Sequence, residues 1–409
     1  MKRIAVITQG VKLHDEKGYT RFAYIAEILS KNGYEVELIT STFQHWEKKQ
    51  RDITGFKQDS NYKVRFIYEP GYKKNIDFRR LRSHHVLAVN LKNYLEEHHY
   101  DLLYFEIPPN DVAKVIVDHA RKKGIPVIAD VNDLWPEAMF MVLDVPIISS
   151  LLFWPLKRDA EYVYRYIDGV VGTSEEYTLR PQKYNKRKIH KTTVYVGNDM
   201  DEFDFGIQQY SKLIIKQNNE FWVMYAGTIG TSYDIKTLIL AAQRLKTEGY
   251  ESIKIKILGT GPLKEKMEQL AVSLDCEVEF LGYQPYKMMA AYLSKADILI
   301  NSFVKKAPQS IVTKTGDYLA SGKAMINTCS SPEFRKKVEQ NHFGINIEAE
   351  DEEALSNTIL WLKNNRETRE CMGINARKVA EEEFDRKKSY IKIIHLIKEN
   401  LEAKEENVK

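Results

Sequence analysis

The chain has 409 residues, a net charge of +4, 43% hydrophobic residues and 29% charged residues. That length suits two domains, each able to bury its own core, and so mild a charge excludes a dedicated nucleic-acid binder. Cys276, Cys329 and Cys371 lie far apart without metal-ligand spacing and fit reduced, buried thiols in a cytosol.

The apolar run at the start is too short for a signal peptide and reads as a first strand, residues 2–8. A helical period at 19–32, closed by Gly33, and a strand at 35–40 follow. This strand–helix–strand order repeats and implies an α/β chain with doubly wound parallel sheets. The first loop holds Gly10 and Gly18 but no Gly-x-Gly-x-x-Gly, which argues against a nicotinamide or flavin dehydrogenase. After a strand at 63–68 comes a basic section with Lys73, Lys74, Arg79, Arg80 and Arg82, then His84 and His85. It reads either as a solvated helix face or as a surface for anionic lipid or an acceptor pyrophosphate. Neither His84-His85 nor His98-His99 has the i,i+4 spacing of helical metal ligands, so all four are read as structural.

Interior strands at 102–105 and 127–130 follow, the second running into Asn132-Asp133-Leu134-Trp135-Pro136-Glu137. Asp133 can cap a helix with its carboxylate. Residues 140–156 are the most apolar section, but Asp144, Pro146 and Pro155 prevent a regular membrane span. The section is either a buried helical hairpin or a segment lying in a membrane interface, with Trp154 at headgroup level beside Lys157-Arg158. Strands at 169–173 and 194–196 close this half, with Ser174 as a helix cap. The acidic pair in Asp199-Met200-Asp201 supplies too few oxygen ligands for a divalent metal. Residues 202–219 read as linker and polar surface.

In the second half a strand at 222–226 runs into Gly227-Thr228-Ile229-Gly230, whose glycines let backbone N–H groups approach an anion. A strand at 255–258 ends in Gly259-Thr260-Gly261-Pro262, a plain turn or a close approach to a nucleobase or phosphate. A short strand at 278–281, a turn with Tyr283, a helix at 286–294 and an apolar strand at 298–300 lead to residues 307–326. Pro308, Gln309 and Ser310 there open a helix, and Gly322 closes it in a left-handed cap. A short helix after a strand's carboxyl end stands where open α/β sheets bind ligands, and its free N–H groups favour phosphate. Lys314 adds a positive charge. Asp317, three residues on, can accept two hydrogen bonds from a vicinal diol such as a ribose. Together these groups describe a nucleoside diphosphate pocket; the plain alternative is an exposed ion pair between the two. Helices at 352–364 and 389–399 follow, and residues 402–409 read as frayed.

The order of apolar strand, polar loop, Lys314, Asp317-Tyr318-Leu319-Ala320, Gly322-Lys323 and apolar strand resembles the donor-site signature of family 4 glycosyltransferases. Its form, like Asp133-Leu134-Trp135-Pro136-Glu137, resembles the branch that builds bacterial surface polysaccharides, and the likeness covers nearly the whole chain. It implies the GT-B architecture: two doubly wound, Rossmann-like domains facing a central cleft. Residues 1–205 would bind the acceptor, residues 206–385 the nucleotide sugar, and the helix at 386–409 would pack back on the first domain.

The implied activity is retaining transfer of a hexosyl or N-acetylhexosaminyl group. The donor is a nucleoside diphosphate sugar, taken as uridine-linked, and the acceptor a lipid-linked molecule or glycan. The resemblance implies no cofactor and no essential metal. It places Asp133 near the reacting sugar and Lys314 on the leaving phosphate. Gly227, Thr228, Gly230, Gly259, Gly261, Tyr283, Gln309, Ser310 and Asp317 fall on the donor side, with Asp317 on the ribose. Gly18, Tyr19, Asn132 and Glu137 fall on the acceptor side. Asp199-Met200-Asp201 resembles the family's hinge element.

Three positions depart from the pattern. Gln309 stands where the family has its first acid, and Thr228 and Tyr233 stand where many members carry Arg and Lys. Lys314, helped by Lys305 or Lys306, must then carry more of the neutralising charge. The expected location is the cytoplasm, with peripheral contact on the inner face of the plasma membrane. Two rivals stay open: a nucleotide-sugar 2-epimerase of the same architecture, and a degenerate subunit that binds nucleotide without transfer.

Overall fold

The computed structural model describes all residues except 14, 15, 17–19, 59, 75, 76, 138–145, 308–310 and 409, and leaves out the side chains of 146–150, 407 and 408. The chain divides into two compact units, Met1–Val194 with Tyr390–Lys409, and Tyr195–Ser389.

In the first unit the strands are β1 (Arg3–Ile7), β2 (Glu35–Ser41), β3 (Phe43–Gln44), β4 (Lys49–Gln50), β5 (Lys63–Ile67), β6 (Leu102–Ile107), β7 (Val127–Val131), β8 (Gly169–Gly172) and β9 (His190–Thr193). Seven of them form one sheet in the order β5-β2-β1-β6-β7-β8-β9. Its pairings are all parallel. Helices cover both faces, so the central strands read as continuous apolar runs rather than alternating ones. One face packs on the helices Phe78–Glu97, Asn110–Lys123 and Pro146–Tyr166, through Leu91, Ile116 and Val163 among others. The other packs on Arg21–Lys31 and Ile391–Val408, through Phe22, Ile25, Ile393 and Ile397. Arg21 ties the first helix to the last. Its Nε bonds Asp130 at 2.9 Å, and one terminal nitrogen bonds Val194 O at 3.1 Å and the Tyr390 hydroxyl at 3.0 Å. The end of the chain is helical rather than frayed, with Glu405 paired to Lys2 at 3.0 Å.

In the second unit the strands are β10 (Phe221–Ala226), β11 (Ile253–Leu258), β12 (Val278–Gly282), β13 (Ile298–Asn301), β14 (Ala324–Asn327) and β15 (Gly344–Asn346). They order as β12-β11-β10-β13-β14-β15, again all parallel. Asn301, Asn327 and Asn346 are register partners at the carboxyl ends of β13, β14 and β15. Their amides bond in a row, at 2.9 Å and 2.8 Å.

Several expectations need correction. Residues 202–219 are not a linker: Asp199 caps a helix, Met200–Tyr210, which buries Met200 and Phe203 against the helix Tyr286–Lys295. The last strand of the first sheet is β9, not 194–196. The chain at 197–198 instead bonds the far end of its own unit, Asn198 N to Phe384 O at 3.0 Å and Arg386 N to Asn198 O at 3.1 Å. Pro155 lies inside the helix Pro146–Tyr166 without ending it. Leu151, Leu152 and Trp154 on that helix are exposed, which rules out a wholly buried hairpin, while residues 140–145 lie outside the described residues. Cys371 is exposed.

Candidate functional site

In each sheet the winding reverses beside one central strand. A doubly wound sheet opens a crevice there, at the carboxyl ends, and ligands bind in it. In the second unit that point lies between β10 and β13; in the first, between β1 and β6.

At the β10/β13 point the chain after β13 returns as a helix, Lys314–Ala320. It is shorter than the sequence suggested, so Lys314 is its first residue and its dipole is small. Gln309 and Ser310 lie outside the described residues. The helix is pinned to β10 by Tyr318, whose hydroxyl accepts from Ala226 N at 2.7 Å and donates to Ala226 O at 3.0 Å. That anchoring sends the Lys314 side chain toward Gly227: a Cβ built on the glycine would sit 3.4 Å from Lys314 Cδ.

Lys314 is half-buried as a residue, but its Nζ is sealed from solvent and has no hydrogen-bond partner among the described residues. It rests among the rings of Tyr233 at 4.1 Å, Tyr225 at 4.3 Å, Phe303 at 5.1 Å and Tyr318 at 5.8 Å. Burial pulls its pKa well below that of an ordinary lysine. Tyr233 thus offers a π face where many relatives of the resembled family carry a cation, and a cation there would repel Lys314. Lys305 and Lys306 are exposed.

Asp317 is buried on the same helix and does not pair with Lys314. Its Oδ1 accepts from the Tyr286 hydroxyl at 2.8 Å. Burial raises its pKa to about 6, with Tyr286, Arg386 and Asn198 drawing it back. The Asn198 amide packs on Gly316 beside Asp317 and Tyr286. One oxygen of Asp317 is therefore already engaged, and a two-oxygen grip on a diol is not preformed. The exposed ion-pair alternative fails, because neither group is at the surface.

The glycines have a packing reason. Gly259, at φ +126°, lies so close to Gly227 that a Cβ would collide with the Gly227 carbonyl, and one on Gly261 would strike the Ile229 carbonyl. The loops after β10 and β11 are zipped together, Gly227 N to Leu258 O at 3.0 Å and Ile229 N to Thr260 O at 3.0 Å. Gly230 is buried, Thr228 is exposed, and Tyr283 stands 76% exposed after β12.

In the first unit Gly18 and Tyr19 lie outside the described residues. Asp133 accepts from Leu134 N at 2.8 Å and from the Trp135 indole at 3.2 Å, and burial raises its pKa. Its carboxylate shapes a local turn. Asn132 bonds back to Asp130, and Glu137 pairs with Arg180. The basic section divides: Lys73, Lys74, Arg79 and Arg82 are exposed, while Arg80 tucks its guanidinium 4.5 Å from the Trp135 ring. The sequence reading missed Tyr286 and Asn198, which nothing local marks, and Glu106, whose signal was one acid in the apolar run of β6.

Among the described residues no three His, Cys, Asp or Glu side chains are placed to hold a metal ion. Asp199 caps its helix, accepting from Glu202 N at 3.1 Å, and Asp201 pairs with Lys387.

Residues 207–379 match the family model described as Glycosyl transferases group 1. No curated protein sequence matches the chain. Among solved structures, a sucrose-phosphate synthase from Thermosynechococcus elongatus aligns at a TM-score of 0.75 and 16% identity, over 98% of this chain and all of the other (100%). HepE from Anabaena, in complex with UDP, aligns at 0.68 and 15%, over 98% and 100%. WaaG, a glycosyltransferase involved in lipopolysaccharide biosynthesis, aligns at 0.65 and 13%, over 96% and 98%. At such identities the likeness establishes the fold, the GT-B arrangement of two Rossmann-like domains. The protein is a glycosyltransferase of that fold, and its second unit carries the group 1 domain.

Proposed function

We propose that the protein moves a sugar, with retention, from a uridine diphosphate sugar to a lipid-linked or glycan acceptor in bacterial surface-polysaccharide synthesis. The donor binds the second unit, at the β10/β13 point, and the acceptor binds the first. One observation carries this reading: the Lys314 ammonium, sealed beside Gly227 at the ligand-binding point of the sheet and without a hydrogen-bond partner among the described residues. A buried cation in that state is costly unless an anion completes it. A leaving diphosphate supplies that anion, and Lys314 then stabilises the charge that builds as the sugar departs. The UDP complex of HepE and the lipopolysaccharide role of WaaG support the donor base and the pathway. In this reading Lys314 meets the phosphate and no metal takes part; the Gly227 and Ile229 N–H groups are already engaged by the loop after β11.

The first unit rests on the inner membrane leaflet through exposed Leu151, Leu152, Trp154 and Phe78, flanked by Arg79, Arg82, Lys157 and Arg158. Among the described residues no helix is long and apolar enough to cross a membrane.

Calorimetry against uridine, guanosine and adenosine diphosphates, with chelator present, tests the donor site. Uridine diphosphate should bind, and Lys314→Ala and Asp317→Ala should each weaken it without changing the thermal transition cooperativity. Equal binding by all three proteins would refute the site.

A further inference from the structure

The carboxyl ends of the first sheet carry a cluster of charged and imidazole side chains that the donor site does not use. The turn between β3 and β4 brings His45 and Lys48, the loop after β5 brings Glu69 and Tyr72, and the first two turns of the helix Phe78–Glu97 bring Arg80 and His84. Tyr72 is their common neighbour. Its hydroxyl donates to His45 Nδ1 at 2.5 Å. The Lys48 ammonium lies 4.8 Å from its ring centroid and the Arg80 guanidinium 5.4 Å. Two cations thus share one ring. Lys48 reaches it from a left-handed backbone, φ +55°, which a lysine adopts only at a cost. Lys48, Arg80 and His45 keep partial solvent access.

Glu69 balances one of the two charges. It is fully buried, and its Oε1 accepts from Gln9 and Ser83, both at 2.7 Å. Glu106 holds the segment that carries Gln9, accepting from Thr8 Oγ1 at 2.5 Å and Gly10 N at 3.2 Å. Asp133, the other acid acting on Arg80, is drawn toward its neutral form by burial and offsets the second cation only in part. Both imidazoles are neutral. Burial, with Lys48 and Arg80 beside them, brings His45 down to about 3 and His84 well below its ordinary value. A His45 that accepts at Nδ1 carries its proton on Nε2, where it can donate. His84 is buried, and its Nε2 meets no hydrogen-bond partner among the described residues. Positive charge is left in excess beside imidazole N–H donors, and a phosphate suits that set: its oxygens accept from guanidinium, ammonium and imidazole together.

We propose that Lys48, Arg80 and the imidazoles of His45 and His84 bind a phosphate group in the first unit, so that the acceptor is a phosphate or diphosphate ester. This rests on the glycosyltransferase reading above and narrows its acceptor. The start of the helix favours a lipid as the source, because Phe78, Arg79 and Arg82, exposed around Arg80, belong to the face that rests on the leaflet. A soluble sugar phosphate carries the same group. The lysine makes the site sensitive to pH. Burial and the Arg80 charge bring Lys48 down to about 8, against the pull of Glu69, while burial raises Tyr72 and keeps it neutral.

The test titrates the whole chain with farnesyl diphosphate and with glucose 1-phosphate, by calorimetry, with UDP present to fill the donor site. Wild type is compared with Arg80→Gln and, because Arg80 also packs 4.5 Å from the Trp135 ring, with Lys48→Met; melting curves check that each variant folds. Farnesyl diphosphate should bind wild type and lose about 10- to 150-fold in either variant, the range of one charge-assisted hydrogen bond, with UDP affinity unchanged. From about pH 7 to 9 Lys48 gives up its proton, so wild-type affinity should fall about 5- to 10-fold, and Lys48→Met should not show that fall. A lysine with a purely structural role would move neither result. Glucose 1-phosphate bound as tightly, through the same two residues, makes the acceptor a soluble sugar phosphate and keeps the site. Esters that wild type ignores, or that both variants bind as wild type does, overturn the phosphate site and spare the donor site. A wild-type protein that ignores UDP overturns the donor reading instead, while the ester titrations still decide the phosphate site.

Discussion

Lys314→Met should make the ligand-free protein more stable and the nucleotide complex weaker. The Nζ is sealed off and lacks a hydrogen-bond partner among the described residues, so its compensation is the four rings at 4.1–5.8 Å. Desolvating an ammonium costs several kcal/mol, and a desolvated cation–π contact returns about 2 kcal/mol. Rings that share one cation do not add fully, so the charged form stays about 1–3 kcal/mol in deficit. Methionine keeps the unbranched stem and gains sulfur–aromatic contacts of about 0.3–1.5 kcal/mol. At about 2–4 °C per kcal/mol for a unit of this size, the melting temperature should therefore rise by about 3 °C at the least and about 18 °C at the most.

The pH dependence has a definite sign. The folded pKa lies below the ordinary 10.5, so the unfolded chain holds more protons between the two values. Wild-type stability must rise with pH across that window, and the variant must lack the rise. On the binding side, a charge-assisted hydrogen bond to phosphate contributes about 1.5–3 kcal/mol, so UDP affinity should fall about 10- to 150-fold. UDP binding should also draw the lysine pKa back up. Calorimetry in alkaline buffers of different ionisation enthalpy would show that as proton uptake in wild type alone. A variant destabilised by about 2 kcal/mol or more, with UDP affinity intact, would make Lys314 a core strut and nothing else.

Three further outcomes follow from the geometry. Gly259→Ala places a Cβ against the Gly227 carbonyl at a positive φ; urea unfolding should show a loss of about 2–4 kcal/mol, and UDP binding should weaken as the two loops part. Tyr286→Phe removes the hydroxyl that favours the ionised form of Asp317. The Asp317 pKa should climb above its value of about 6, and the variant should lose about 1 kcal/mol of stability at pH 8 but less at pH 5, checked by melts at the two pH values. Leu151→Ser with Trp154→Ser strips the exposed apolar face of the helix Pro146–Tyr166; sedimentation with anionic liposomes should drop about tenfold or more while the melting curve stays put.

Much of the fold was legible because parallel strands covered on both faces must be written as apolar runs. Ile4 to Ile7, Val223 to Ala226 and Ile298 to Ile300 are of that kind, and each is a strand. What failed was set by tertiary packing. The helix Met200–Tyr210 turns Met200, Phe203, Ile207 and Tyr210 inward, but Phe205 stands exposed and acids and amides fill the rest, so the apolar stripe did not stand out from polar surface. The site was half legible for a similar reason. Lys314 and Asp317 were visible as residues, but their burial was not, because the rings that enclose Lys314 come from β10, the loops after β10 and β13, and its own helix. Spacing suggested an ion pair between them, yet Tyr286, from another helix, claims the carboxylate. Gly227 was read as an opening for an anion, and Gly259 and Gly261 as a plain turn or a close approach to a ligand; the structure adds a requirement of its own, the contact of two loops, which no single stretch of sequence displays.

The two switch points are furnished in opposite ways. One places a carboxyl, Glu106, under a glycine-bearing loop; the other places an ammonium, Lys314, against one. In each case burial pushes the group toward its neutral form, the acid upward and the lysine downward. Stability alone does not favour that, since apolar residues of similar volume at buried charged positions are neutral or better. Groups held so far from their ordinary titration are typical of functional sites.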